Sequence, residues 1–155
     1  MGINPKLSAG DKAPAFELES DTDGTVRLED LRGKKTILYF YPKDDTPGCT
    51  KQACGFRDHR DTFAKRGFQV YGVSPDPVDS HAAFRDKFDL NFPLLADTEH
   101  EVAEAYGVWR EKTNYGNTYV GIVRSTFIID EEGVIEEIQD NVQATGHVDR
   151  LLRDL

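Results

Sequence analysis

The stretch TILYFYP, residues 36–42, constrains the fold more than any other part of the chain. It is uncharged and rich in β-branched and aromatic side chains, the composition of a strand buried on both faces. Such a strand needs a covering layer on each side. Pro42 ends it, because proline has no N–H to give to a ladder. The polarity then turns helical from about Pro47 to Lys65, with Gly67 as a stop. A buried strand leading directly into a long helix is the start of a βαβ unit, which implies a right-handed crossover and a parallel neighbour.

The rest of the chain continues the alternation. FQVYGVSPD reads as a second buried strand, DSHAAFRDKFDL as a helix, FPLLAD as a short strand and TEHEVAEAYGV as another helix. The first of these helices is expected to be capped by Asp79 or Ser80, with Ala82, Ala83, Phe84 and Phe88 on or near its apolar face. The second is expected to be capped by Thr98 and stopped at Gly107. AFELESDTDGTVRLEDLRGK reads as a hairpin turning at Asp23-Gly24, and STFIIDEEGVIEEIQ as a hairpin whose turn holds Glu132-Gly133. HVDRLLRDL closes the chain as an amphipathic helix. Repeats, low-complexity runs and linkers are absent. The expectation is one domain over residues 1–155: a three-layer α/β fold of thioredoxin-like type. Its central sheet would be mixed but mainly parallel and flanked by helices, with an N-terminal β-hairpin and an antiparallel hairpin added at one side.

Charge narrows the function. A net charge of -9 opposes nucleic acid or an anionic membrane as a main partner, since both repel a net anion at range. No apolar run is long enough for a membrane helix, and MGINPKLSAGDKAPAF lacks the pattern of a secretory signal. A cytoplasmic location is therefore expected. In that compartment two cysteines are more often reactive than structural.

Both cysteines lie in TPGCTKQACG, residues 46–55, just past the C-terminal end of the expected central strand, where open α/β sheets bind ligands. Thr46 suits an N-cap and Pro47 the first helical position, which puts Cys49 in the first turn. There the unpaired N–H groups and the helix dipole favour a thiolate. Complete ionisation of an ordinary thiol at neutral pH gains only about thirtyfold, roughly 2 kcal/mol. Fast chemistry thus needs further stabilisation at the electrophile. Cys54 follows five positions later, roughly 8–9 Å away on a different helix face if both stay helical. A bond between them would require the helix to unwind, and Gly48 and Gly55 at either end weaken it. A structural disulfide, a metal site recruiting His59, and a phosphatase loop are the alternatives. Cys49, Cys54 and His59 step round a helix without converging, and no arginine lies between positions 50 and 56 to close an anion loop.

The segment YPKDDTPGCTKQACGFRD resembles the active-site segment of the peroxiredoxins, specifically the peroxiredoxin Q or bacterioferritin comigratory protein group. The spacing Pro42-x-x-x-Thr46-x-x-Cys49 resembles their peroxidatic motif, and Cys54 falls at that group's frequent resolving position. AGDKAPAFEL, GVSPDPVDSHAAFRDKFDLNFPLLAD and YGVWREKTNYGNTYVGIVRSTFIID extend the resemblance along nearly the whole chain. The resemblance implies a thiol-dependent peroxidase for hydrogen peroxide and organic hydroperoxides, of atypical two-cysteine type. Cys49 would be the nucleophile and Cys54 the resolving thiol of an intramolecular disulfide. Thr46, Gly48, Cys49 and Arg124 would bind the peroxide, and Pro42 would shape the pocket. No metal, haem or flavin is implied. The reductant would be thioredoxin or glutaredoxin, and the protein a monomer, with no cysteine after Cys54 to resolve a partner subunit. Gln52 stands where many relatives are expected to carry Glu.

Two other classes compete. A thiol–disulfide oxidoreductase shares the fold but uses Cys-x-x-Cys, whose sulfurs meet without unwinding. A holdase-like interaction protein would use the cysteines only to sense oxidation. Among the remaining residues, His81, His100 and His147 read as surface or cap positions, Asp44 and Asp45 as a solvated loop, and Trp109 and Phe127 as core.

Overall fold

The computed structural model describes residues 7–155 apart from Asp23 and Tyr115. In chain order the strands are β1 (Glu17–Ser20), β2 (Thr25–Arg27), β3 (Lys35–Phe40), β4 (Phe68–Ser74), β5 (Leu94–Ala96), β6 (Trp109–Asn114), β7 (Asn117–Ile122), β8 (Ser125–Ile129) and β9 (Ile135–Gln139). The helices are α1 (Pro47–Lys65), α2 (Val78–Phe88), α3 (Glu101–Ala105) and α4 (His147–Asp154).

β3 is the inner strand that its composition requires. It pairs in parallel with β4 and antiparallel with β8, and every residue from Thr36 to Phe40 is buried. Successive strand residues face opposite ways. Ile37, Tyr39 and Tyr41 join Cys49, Phe56, Phe63, Phe84, Val148 and Leu151 in one apolar cluster under α1, α2 and α4. Leu38 and Phe40 join Phe16, Val102, Tyr106, Phe127 and Ile129 in a second cluster on the other face. Two cores against one sheet make the three layers.

The sheet runs β2-β1-β5-β4-β3-β8-β9. Only the neighbours β3–β4 and β4–β5 pair in parallel, so the sheet is mixed but not mainly parallel. Antiparallel pairs extend both edges, with β1 on β5 and β8 on β3. Sequence patterning identifies a hairpin but not which edge it joins, because that is set by which apolar faces meet. The turn expected at Asp23-Gly24 falls in part on Asp23, outside the described residues. A hairpin absent from the sequence reading, β6–β7, forms a separate two-stranded sheet. Its polar, charged run WREKTN gives little strand signal.

Two cap expectations are corrected. α2 starts after Pro77 rather than Asp79 or Ser80. α3 is preceded by His100 in the left-handed region, and the N–H groups of Val102 and Ala103 donate to Asp97 at 3.2 and 2.8 Å. Thr98 is exposed and takes no such part. On α2, Ala83 is exposed, while His81 is buried with Phe84. Trp109 is only half-buried and stacks on His100 with ring centroids 4.1 Å apart, whereas Phe127 is core.

Candidate active site

The site forms where β3 ends and α1 begins. α1 spans the expected residues, with Thr46 as N-cap and Pro47 in the first turn. The Thr46 carbonyl accepts from the Thr50 N–H at 2.8 Å. Its side chain makes no cap bond. The hydroxyl instead donates to the Lys43 carbonyl at 2.9 Å, which leaves the oxygen's lone pairs to accept from another group. Pro42 is half-buried just past β3, at the end from which this turn leaves.

Cys49 is 2 % exposed and faces the cluster beneath α1. Arg124, 75 residues on and just past β7, donates from Nη2 to Cys49 Sγ at 3.2 Å. Helix start and guanidinium therefore meet on one sulfur. Gly48 permits the approach. A Cβ there would lie 3.3 Å from Arg124 Nη2 and 3.4 Å from Ala144 Cβ, tighter than ordinary contact. Lys112 adds a second cation nearby. Its Nζ donates to the Ile122 carbonyl at 2.7 Å, and its proton affinity is lowered by burial and by Arg124 while Cys49 raises it.

Both cysteines are free thiols, and Cys54 is half-buried within the same unbroken helix. Five helical residues separate their α-carbons by roughly 8–9 Å, beyond disulfide reach. The structure thus brings Cys49, Arg124 and Gly48 together, with Thr46 and Pro42 on the adjoining turn. It holds Cys54 apart.

Four polar residues around the site take roles that the sequence alone does not assign. Gln52 is fully buried and accepts from Arg124 Nη1 through Oε1 at 2.6 Å. Its Nε2 lies 3.0 Å from His147 Nδ1, and His147 Nε2 lies 2.8 Å from Gln139 Oε1. His147 is therefore no surface residue. Burial, then Arg150 and Arg124, push its proton affinity down to about 4. Asp44 is likewise not solvated, because it anchors the turn that carries Thr46. Tyr41 Oη and Ser80 Oγ donate to its carboxylate at 2.6 and 2.8 Å, and His81 Nδ1 lies 2.7 Å from it. His81, fully buried, also meets the Leu95 carbonyl through Nε2 at 2.9 Å. A signal for both histidines was present. His81 with Phe84 and Phe88, and His147 with Leu151, stand at helical spacing on apolar faces. Among the described residues, no group of three or more His, Cys, Asp or Glu side chains is gathered to hold a metal ion. None of their helices is long and apolar enough to cross a membrane.

Comparison with known proteins agrees with this geometry. Residues 9–138 match the AhpC/TSA family. A putative peroxiredoxin of Mycobacterium tuberculosis is 52% identical over 155 residues, covering 100% of this chain and 99% of the relative. Peroxiredoxin Bcp of Bacillus subtilis is 48% identical over 149 residues, covering 96% and 95%. Among solved structures, a cysteine-to-serine mutant of Xylella fastidiosa PrxQ superposes with a TM-score of 0.90 at 32% identity, covering 97% of this chain and 96% of that one. The bacterioferritin comigratory protein of Xanthomonas campestris gives a TM-score of 0.87 at 34% identity, covering 95% and 96%. The chain belongs to the AhpC/TSA family and, within it, to the Bcp/peroxiredoxin Q group of thiol-dependent peroxidases.

Proposed function

We propose that Cys49 is the peroxidatic nucleophile of this peroxidase and Cys54 its resolving thiol. The observation that carries the reading is the Arg124 Nη2 contact with Cys49 Sγ, 3.2 Å long, at the first turn of α1. The thiolate attacks the outer oxygen of a hydroperoxide. The S–O bond forms as the O–O bond breaks, and the leaving alkoxide or hydroxide takes a proton, giving alcohol or water and a sulfenic acid. Thr46, its own proton engaged by the Lys43 carbonyl, accepts from the peroxide O–H. Arg124 and the N–H groups near Gly48 and Cys49 stabilise charge on the separating oxygens. Pro42 walls the pocket.

Residues 49–54 then unwind, which draws Gln52 away from Arg124 and His147. Cys54 condenses with the sulfenic acid, releasing water and forming a disulfide. A dithiol reductant of the thioredoxin or glutaredoxin class restores both thiols. The Xanthomonas campestris relative is described as reducing alkyl peroxides, which favours organic hydroperoxides alongside hydrogen peroxide here. The working form is a cytoplasmic monomer.

Intact mass and peptide mapping after one equivalent of hydrogen peroxide test this reading. The expected product has lost two mass units and links Cys49 to Cys54. Cys54→Ser should still form one sulfenic acid per chain, while Cys49→Ser should lose turnover. Near wild-type turnover by Cys49→Ser would overturn the assignment.

A further inference from the structure

We propose that His147 is a positioning residue that aims Arg124 at Cys49, by fixing which end of the Gln52 amide faces the guanidinium. The inference rests on the Cys49–Arg124 reading above and follows from an account of donors and acceptors. A guanidinium only donates, so the Gln52 atom 2.6 Å from Arg124 Nη1 must be its carbonyl oxygen. The amide nitrogen then points at His147 Nδ1, 3.0 Å away, and needs a lone pair there. The imidazole proton therefore sits on Nε2, where it donates to Gln139 Oε1 at 2.8 Å. Each link has one arrangement that leaves no donor facing a donor.

Solvent cannot repair a wrong arrangement, because Gln52 is fully buried and His147 only 3 % exposed. With the proton on Nδ1, the Gln52 amide would have to turn its NH2 toward Arg124, and the guanidinium would lose its acceptor. The fork that now spans Gln52 and Cys49 would then be held at one end only. The neighbourhood favours the neutral ring, since Arg124 and Arg150 both disfavour a charge on it. Phe56 meets the ring edge-on at 6.2 Å and limits its rotation.

The test reads thiolate content directly and needs no peroxide turnover, so it stands apart from the test of peroxidase function. In a Cys54→Ser background, the rate of Cys49 alkylation by iodoacetamide at pH 7 is compared with and without a change at His147. His147→Leu removes the acceptor and should slow alkylation by up to about tenfold, the limit for one unit on the ionisation of a mostly protonated thiol. His147→Asn, whose Oδ1 stands near the place of Nδ1, should restore most of the rate. A folded Leu variant that alkylates like its background would overturn the proposal, as would an Asn variant as slow as Leu. Should the Leu variant fail to fold, 15N NMR of the unsubstituted reduced protein at pH 7 decides. The Nε2–H tautomer at His147 supports the proposal, and an Nδ1–H tautomer or an imidazolium overturns it.

Discussion

Lowering the pH should destabilise this protein through His147 well before its ordinary carboxylates titrate. In the unfolded chain a histidine protonates near 6.5, whereas the buried ring of His147 does so only at about 4. Above both values neither state carries the proton and stability is indifferent to it. As pH falls from 6.5 toward 4, the unfolded state binds a proton that the folded state refuses, so stability falls. At about 1.4 kcal/mol per unit, the displacement from 6.5 to about 4 amounts to about 3 kcal/mol, complete by pH 4 and constant below it. That is a large fraction of a typical net stability of about 5–15 kcal/mol. Asp97 acts with the opposite sign. Burial raises its carboxyl, so the folded state takes up that proton first and gains stability on acidification. Urea denaturation of the reduced protein, repeated from pH 7 to pH 4, isolates the imidazole when wild type is compared with His147→Asn. The other titrating groups are common to both. The wild type should lose about 3 kcal/mol more than the variant across that window. Parallel pH profiles would refute the reasoning, as would a steeper loss in the variant.

Arg124→Lys keeps the charge but cannot span Gln52 and Cys49 with two nitrogens, so kcat/KM for hydrogen peroxide should fall about a hundredfold in stopped-flow assays. A change under threefold would show that charge alone suffices. Gly55→Ala should lower Tm despite gaining about 1 kcal/mol of helix propensity, because the new Cβ would lie 2.9 and 3.1 Å from Val148 Cγ2 and Cβ. A raised Tm in calorimetry would mean that α4 yields freely. Asp44→Ala leaves the buried His81 and Tyr41 and the half-buried Ser80 without their shared acceptor and should cost about 3–5 kcal/mol in urea titrations. A loss below about 1 kcal/mol would show that the anchor matters little, since that is the worth of an ordinary hydrogen bond.

Features that depend on neighbours along the chain are legible in the sequence alone. The uncharged run of β3 specifies a two-faced buried strand, and Thr46 and Pro47 start α1 where they should. The motif around Cys49 is local too, since a helix start and a thiol three residues past its cap need no distant partner. Tertiary structure decided everything that depends on which faces meet. Arg124 reaches Cys49 across 75 residues, and no periodicity in the sequence encodes that approach. Asp44 and His147 look polar enough for water, yet packing removes them from it and makes their hydrogen bonds obligatory. Most polar groups in a core are paired there, and the partners of the His147 ring are Gln52 on α1 and Gln139 on β9. A chain read one window at a time shows the donor but not the acceptor, because the acceptor arrives only when the sheet and its helices close round it.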